Sequence, residues 1–522
     1  MTTGKEMRSG LFLLTAAFAA APLAAQNTVV EVSIVQLDAR LASGKATSQS
    51  LTRAYLARVA AMDRKGPALH AVIALNPDAL AMARASDARR RAGHPLGPLD
   101  GIPVLIKDNI ETKDPIATTA GSLALKDNVT GRDAPVVARL RAAGAVILGK
   151  TNLSEWANIR SMRSTSGWSA RGGLTRNPYA LDRNTSGSSA GAAVAMAADL
   201  CAVAIGTETD GSIVSPASLN GVVGLKPTVG LVSRDGIVPI SRTQDTAGPI
   251  TRTVADAACL LAALAGVDTR DSATAASRAA DYIGALDPRR LAGARLGVAR
   301  NLFVAHDEVR VLIERSLVML KVQGAVIVDP VELPQSDALL QAELEVLLTE
   351  FKHGLADYLA QFAPGAPVRT LADLIAWNRR HRERELRWFG QDLFEQAEAK
   401  GGLDSPAYLE ALATCRRLAR TEGLDAVLRE HRLDALVAPT AGPAWVTDPV
   451  NGDHFGGGFS SPAAIAGYPH LTVPAGFVRG LPVGLSFVGP AWSEALLLGL
   501  GHAFEQATRA RRAPTFPATL PL

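Results

Sequence analysis

The stretch Gly206-Thr207-Glu208-Thr209-Asp210-Gly211-Ser212-Ile213 continues an apolar run that begins at Leu200. It places a serine at the end of a series of backbone amides after a strand-like segment, where an acyl-transfer nucleophile belongs. A second cluster, Ser186-Gly187-Ser188-Ser189-Ala190-Gly191, lies upstream, and Lys107 ends an earlier apolar run over residues 102–106. A lysine and two glycine-flanked serine clusters therefore occur in this order.

Taken together, these segments resemble the amidase signature family of serine hydrolases, which cleave the carbon–nitrogen bond of amides with a lysine and two serines. On this resemblance Ser212 is the nucleophile and Lys107 is the terminal base. Ser188 is the bridging serine, and its preceding peptide bond is cis. The resemblance runs from about Leu37 to the C-terminal segment that reaches Leu485. It implies an acyl-enzyme, with a proton that moves from Ser212 through the Ser188 hydroxyl to neutral Lys107.

The resemblance also implies an oxyanion hole built from backbone N–H groups. Its donors are those of Thr209, Asp210, Gly211 and Ser212. Many family members carry two glycines before the nucleophile, where this chain has Asp210-Gly211. The Asp210 side chain either caps a helix that begins near Ser212 or hydrogen-bonds a substrate amide. The cap is favoured, because an aspartate stabilises a helix N-terminus.

Residue chemistry supports a lysine base at position 107. A serine hydroxyl must pass its proton to a base, and a lysine can serve when burial disfavours its ammonium form. Lys107 follows Val104-Leu105-Ile106, which provides apolar cover. We therefore expect Lys107 to be buried at the end of a strand.

Helical and strand-like segments alternate along the chain, which favours an α/β protein. Helical spacing runs from Ser33 to Met62 with a break at Ser43-Gly44, and residues 145–149 read as a strand after a helix that Asp133 caps. Further helical stretches are predicted over residues 308–323, 337–361 and 407–430. We predict one large α/β domain over residues 26–522, with a mixed β-sheet core surrounded by helices and a helical insertion around residues 300–430.

The first residues are typical of a secretory signal peptide. Lys5 and Arg8 precede an apolar run over residues 11–21, and small residues follow up to Ala25. The apolar run is too short to span a bilayer, and no later segment offers about 18 uninterrupted apolar residues. We expect residues 1–25 to be removed and the protein to be periplasmic or secreted without stable membrane association; an ordinary apolar N-terminal helix is the alternative.

Composition restricts the partners of the protein. The formal net charge of +4 is spread among acidic residues, so no nucleic-acid partner is expected. Cys201, Cys259 and Cys415 lack C-x-x-C spacing and are predicted to be buried small hydrophobes. Because the histidines show no H-E-x-x-H spacing, neither a metal nor a cofactor is predicted. A monomer that acts on a small-molecule or short-peptide amide is expected.

Two other functions remain open from the sequence. Gly187-Ser188-Ser189-Ala190-Gly191 also fits the G-x-S-x-G elbow of α/β-hydrolase esterases, with Ser189 as nucleophile. That motif requires a strand directly before it, whereas residues 176–184 are loop-like. An exported binding protein without catalysis is the second alternative, against which the complete set of lysine and serines argues.

The residues around the motifs are most similar to those of peptide amidases, which deamidate C-terminally amidated peptides. A broad-specificity or aryl-acyl amidase is the second candidate.

The tryptophans Trp156, Trp168 and Trp445 are interpreted as packing residues, and the polar segment Ser161 to Gly173 as a possible rim of the site. Export argues against the family branch that acts on charged transfer RNA.

Overall fold

The computed structural model describes residues 27–278, 280–334 and 336–521. The predicted signal peptide lies outside these residues. In this part of the chain, no helix combines the length and the apolar character needed to cross a membrane.

A mixed sheet of eleven strands forms the centre of the described chain, as predicted. In spatial order the strands are β1 (Val72–Leu75), β3 (Val146–Thr151), β2 (Pro103–Lys107), β6 (Val203–Glu208), β8 (Thr246–Thr251), β7 (Val223–Lys226), β12 (His470–Val478), β13 (Leu481–Val488), β11 (Ala435–Pro439), β9 (Arg295–Ala299) and β10 (Val326–Val331). Strand β2 is parallel to β3 and β6, and β9 is parallel to β10 and β11. The remaining pairings are antiparallel. A separate short ribbon pairs β4 (Trp168–Ser169) with β5 (Gly173–Leu174).

Helices surround this sheet. They are α1 (Ile34–Ala42), α2 (Ser48–Met62), α3 (Ala79–Arg91), α4 (Pro135–Ala142), α5 (Ala190–Ala197), α6 (Val214–Leu219), α7 (Val254–Leu264), α8 (Asp307–Val322), α9 (Asp337–Phe362), α10 (Leu371–Arg380), α11 (Arg382–Glu385), α12 (Asp392–Glu398), α13 (Pro406–Arg416), α14 (Asp425–Glu430), α15 (Ser461–Ala466) and α16 (Glu494–Thr508). A π-helical segment, Arg417–Leu424, joins α13 to α14. Helices were predicted where α1, α2, α4, α8, α9, α13 and α14 lie, whereas the neighbouring strands β9 and β10 were not predicted.

The central strands are buried on both faces because their side chains alternate between two apolar layers. In β2, Val104 and Ile106 belong to one layer and Leu105 to the other. Lys107 follows on the same face as Leu105 and is fully buried. The alternation therefore carries a lysine into the interior at the end of a strand, as the sequence predicted.

The helix cap predicted at Asp133 is wrong. Helix α4 begins at Pro135 behind Ala134, which offers no side-chain cap. The Asp133 carboxylate accepts instead from the backbone N–H of Lys113 (2.8 Å) and from Arg141 Nε (2.9 Å). A charge-assisted bond to a guanidinium is stronger than a bond to a neutral donor, so the aspartate turns towards Arg141.

The three cysteines, Cys201, Cys259 and Cys415, are buried and free, as predicted.

In the region of the predicted insertion, helix α9 is 26 residues long. Its buried face includes two acids, Glu343 and Glu350, among apolar side chains. Both acids contact the loop that leads into β8.

Candidate active site

Lys107 and Ser188 meet inside the protein. Lys107 Nζ lies 2.7 Å from Ser188 Oγ, and both side chains are fully buried. The Gly187–Ser188 peptide bond is cis, as the resemblance implied. Lys107 Nζ also lies 3.2 Å from the carbonyl oxygen of Thr207 and 2.9 Å from its hydroxyl oxygen. The amine therefore has three oxygen neighbours.

The sheet explains how distant segments converge. Strands β2 and β6 are parallel neighbours, so their carboxyl ends lie at the same edge of the sheet. Lys107 ends β2, and the loop that follows β6 carries Ser212. The backbone N–H of Ser189 donates to the Ser212 carbonyl oxygen at 3.1 Å. This bond holds the two serine segments side by side.

Burial makes Lys107 a plausible base. Burial of Nζ disfavours the ammonium form and lowers the pKa of Lys107 to about 7. The negative charges of Glu208 and Asp245 oppose this effect by raising the pKa. Burial thus moves the pKa of Lys107 from its ordinary range towards neutral pH.

The loop after β6 presents unused backbone donors. Within the part of the chain that the structure describes, the N–H groups of Thr209, Asp210, Gly211 and Ser212 donate to no protein acceptor. Gly211 has a φ of 74°, in the left-handed region, and a Cβ at this position would lie 2.9 Å from Ser460 Oγ. Four consecutive free donors beside a serine suit the binding of an oxyanion.

The helix cap predicted for Asp210 is wrong. Helix α6 begins at Val214, and the carboxylate of Glu208 accepts from the backbone N–H groups of Ile213 (2.7 Å) and Val214 (3.0 Å). Asp210 turns away from the helix, and its Oδ2 accepts from Ser461 Oγ at 2.6 Å. The helix starts two residues later than expected, so the acid at the end of β6 reaches its first N–H groups.

A second loop, residues 240–245, supports the loop that carries Ser212. Asp245 accepts from Thr209 Oγ1 (2.6 Å) and from the backbone N–H groups of Ile240 and Ser241. Burial raises the pKa of Asp245 to about 6, and these hydrogen bonds oppose the rise. Sequence reasoning missed this aspartate, because nothing in its local pattern links it to a loop about 35 residues earlier.

Ser189, the nucleophile of the esterase alternative, has a structural position. It is fully buried, its hydroxyl donates to the Thr207 carbonyl oxygen at 3.0 Å, and it accepts from the Thr207 N–H at 3.3 Å. No strand directly precedes it. This geometry differs from an exposed serine at a strand-to-helix elbow.

The tryptophans pack as interpreted. Trp156 is buried in an apolar cluster and contacts Phe394 edge to face, whereas Trp168 contacts Phe389. Trp445 donates to Asp453, which also accepts from the N–H of Ser166 in the predicted rim segment. No group of three His, Cys, Asp or Glu side chains in the described ranges is arranged to hold a metal ion.

Comparisons with known proteins agree with this architecture. A sequence model of the Amidase family matches residues 50–498. A probable amidase of Arabidopsis thaliana is 42% identical over 510 residues, which is 95% of this chain and 94% of the relative. The crystal structure of a peptide amidase from Stenotrophomonas maltophilia is 55% identical, with a TM-score of 0.89 over 93% of this chain and 99% of that chain. A peptide amidase bound to the competitive inhibitor chymostatin is 56% identical, with a TM-score of 0.91 over 93% and 99% of the two chains. The chain therefore belongs to the amidase signature family and is an amidase.

Proposed function

We propose that this amidase removes the terminal amide group of C-terminally amidated peptides, through an acyl-enzyme and the residues Lys107, Ser188 and Ser212. The products are a free carboxylic acid and ammonia. The observation that carries the catalytic part is the 2.7 Å contact of Lys107 Nζ with Ser188 Oγ beside the free N–H groups of the Ser212 loop.

In this mechanism neutral Lys107 takes the proton of Ser188, and Ser188 takes the proton of Ser212. The Ser212 oxygen then attacks the amide carbon, and the N–H groups of residues 209–212 stabilise the oxyanion. Lys107 returns its proton through Ser188 to the amide nitrogen. The carbon–nitrogen bond breaks, ammonia leaves, and water releases the acid by the same proton path in reverse.

The pKa of Lys107 supports this role. A base works best when its pKa lies near the operating pH, and burial brings the pKa of Lys107 to about 7. The paired Thr207 oxygens also provide acceptors for two N–H bonds of the amine. The lysine is thus held and deprotonated without a histidine.

The similarity to peptide amidases supports the substrate class. Two such structures are 55% and 56% identical to this chain over 93% of its length. A broad-specificity or aryl-acyl amidase of the same family is the second candidate for substrate. The esterase and binding-protein alternatives lose support from the buried position of Ser189 and from the depressed pKa of Lys107.

The test is ammonia release from an amidated tripeptide, with its free-acid form as a blank and an anilide of the same acyl group as comparison. We expect ammonia from the amidated peptide with its internal peptide bonds intact. Ser212→Ala is expected to reduce kcat by roughly 10⁴-fold or more. Full activity in Ser212→Ala would exclude this mechanism, and turnover of the anilide alone would favour the second candidate.

We also propose that the protein is exported, on the basis of the signal-like pattern of residues 1–25. Expression of the full chain in a bacterial host, followed by fractionation and N-terminal sequencing, tests this. A mature N-terminus near residue 26 in the periplasmic fraction is expected. An intact N-terminus in the cytosolic fraction would contradict export and leave the enzymatic proposal unaffected.

A further inference from the structure

Asp210 holds an unused hydrogen-bond acceptor two residues before Ser212. Its Oδ2 is occupied by the Ser461 hydroxyl at 2.6 Å. Its Oδ1 is buried, and among the described residues no donor meets it in hydrogen-bond geometry, although the Ser460 hydroxyl is close enough to lower the pKa of Asp210. A buried carboxylate oxygen without a donor costs free energy, so such an oxygen at an active site indicates a missing partner.

A second carboxyl group lies beside Asp210. Glu343 of helix α9 is only 7% exposed, and Gln244 Nε2 donates both to Glu343 Oε1 (2.9 Å) and to the Thr209 carbonyl oxygen (3.4 Å). Burial and the negative charge of Asp210 raise the pKa of Glu343 to about 8. Burial also raises the pKa of Asp210. Glu343 therefore keeps its proton near neutral pH, which leaves Asp210 as the acid of the pair that can be ionised and accept an N–H.

The reaction itself requires hydrogen-bond acceptors for the leaving nitrogen. The amide nitrogen of a primary carboxamide carries two N–H bonds, and it receives a further proton as the carbon–nitrogen bond breaks. The backbone of residues 209–212 offers N–H donors to the substrate, and donors cannot bind another N–H. The leaving nitrogen therefore needs an acceptor other than these N–H groups, and the free Oδ1 of Asp210 lies on the same loop.

We propose that Asp210 Oδ1 accepts an N–H of the leaving nitrogen and thereby makes the enzyme selective for primary carboxamides. This inference rests on the proposed amide hydrolysis and specifies its leaving group. An N-alkyl or N-aryl substituent replaces one N–H with carbon. The carboxylate oxygen then remains unpaired in the complex, which is how polar sites reject analogues that lack a donor.

The test compares three substrates that share one acyl peptide: the primary amide, the N-methylamide and the anilide. We expect the kcat/KM of the unmodified enzyme for the primary amide to exceed that for the N-methylamide by roughly tenfold or more, since one hydrogen bond to a charged group is lost. Asp210→Asn keeps the backbone N–H but removes the negative charge and one of the two acceptor oxygens of the side chain. It is expected to reduce kcat/KM for the primary amide by roughly tenfold or more and to change that for the N-methylamide much less.

Glu350→Gln is the matched control on the same helix. Glu350 is buried like Glu343 but binds Ser241 and Tyr408 instead of the residues next to Asp210. It is expected to change kcat/KM for all three substrates by the same factor. A similar result for Asp210→Asn would overturn the inference, since it would indicate a role in loop structure alone.

The unmodified enzyme provides a readout that does not depend on the folding of any variant. Equal kcat/KM for the primary amide and the N-methylamide would overturn the inference. Failure to hydrolyse any of the three amides would instead overturn the proposed function, so the two failures are distinguishable.

Discussion

Lys107 and Thr207 are joined twice: Lys107 Nζ lies 3.2 Å from the Thr207 carbonyl oxygen and 2.9 Å from Thr207 Oγ1. A neutral amine has two N–H bonds and one lone pair. When Thr207 accepts both N–H bonds, the lone pair is directed to the third neighbour, Ser188 Oγ at 2.7 Å. In the proposed mechanism, Thr207 thus orients the base for proton transfer.

Thr207→Val should impair catalysis because it keeps the side-chain volume and removes one of the two acceptors. The amine can then rotate, and misplacement of a reacting group by about 1 Å costs roughly 10²-fold in rate. Loss of an acceptor also disfavours the ammonium form, so the acid limb of the kcat/KM profile should move to lower pH. Steady-state kinetics across pH measures both effects.

Thr207→Ser restores the hydroxyl and should recover most of the activity of Thr207→Val. The valine variant also leaves Asn109 Nδ2 without its acceptor, which lies 2.9 Å away. A uniform loss of activity with an unchanged pH profile would mean that only this structural defect matters.

Asp245→Asn should move the acid limb of the pH profile to lower pH. The pKa of Lys107 is about 7 because burial lowers it more than the charges of Glu208 and Asp245 raise it. Without the charge of Asp245 the pKa falls further, so the neutral lysine persists at lower pH. A pH profile of kcat/KM measures the shift. A limb that stays in place, or moves to higher pH, would contradict this account of the base.

The contacts of Lys107 and Asp210 show which parts of the site could be predicted from the sequence. Lys107 and Ser188 lie together as their motifs predicted: Lys107 ends β2, and Ser188 lies just before helix α5, which begins at Ala190. Asp210 was expected to cap a helix, yet Glu208 reaches the first free N–H groups of that helix. A difference of two residues in where a helix begins is below what residue patterns resolve.

Asp245 and Glu343 were missed for another reason. Asp245 contacts the loop that carries Ser212 directly, and Glu343 contacts it through Gln244. Both contacts join parts of the chain that are distant in sequence. Glu343 did carry a local signal, because it shares the buried face of its helix with Leu339, Ala342 and Val346. An acid on an apolar helix face requires a buried polar partner. The sequence indicates the need for such a partner, whereas only the fold identifies it as Gln244.

Ser189→Ala should lower stability and leave hydrolysis measurable, in contrast to Ser212→Ala. The Ser189 hydroxyl is buried and bonds to both the carbonyl oxygen and the N–H of Thr207. Its removal should lower the free energy of unfolding by about 1–3 kcal/mol. Chemical denaturation and ammonia release from a primary amide check the two expectations. Complete loss of hydrolysis in a folded Ser189→Ala protein would revive the esterase-like role of this serine.

Arg160→Leu should destabilise the protein strongly, because Arg160 is the cation of a buried charge cluster. Arg160 pairs with Glu155 and lies 3.9 Å from Glu385, and all three side chains are fully buried. Its guanidinium also lies 4.0 Å from the ring centre of Phe389. Removal of the cation leaves two buried acids without compensation, which costs about 3–5 kcal/mol.

The matched control is Arg300→Leu, because Arg300 also pairs with two acids, Asp329 and Glu314, but at the surface. Exposed pairs contribute about 0–1 kcal/mol, so this variant should unfold at nearly the same denaturant concentration as the unmodified protein.

Burial already raises the pKa of Glu155, and loss of Arg160 should raise it further. The defect of Arg160→Leu should therefore shrink as the pH falls and Glu155 becomes protonated. Equal destabilisation by the two variants, or a defect that grows at low pH, would show that the buried cation does not stabilise the fold in this way.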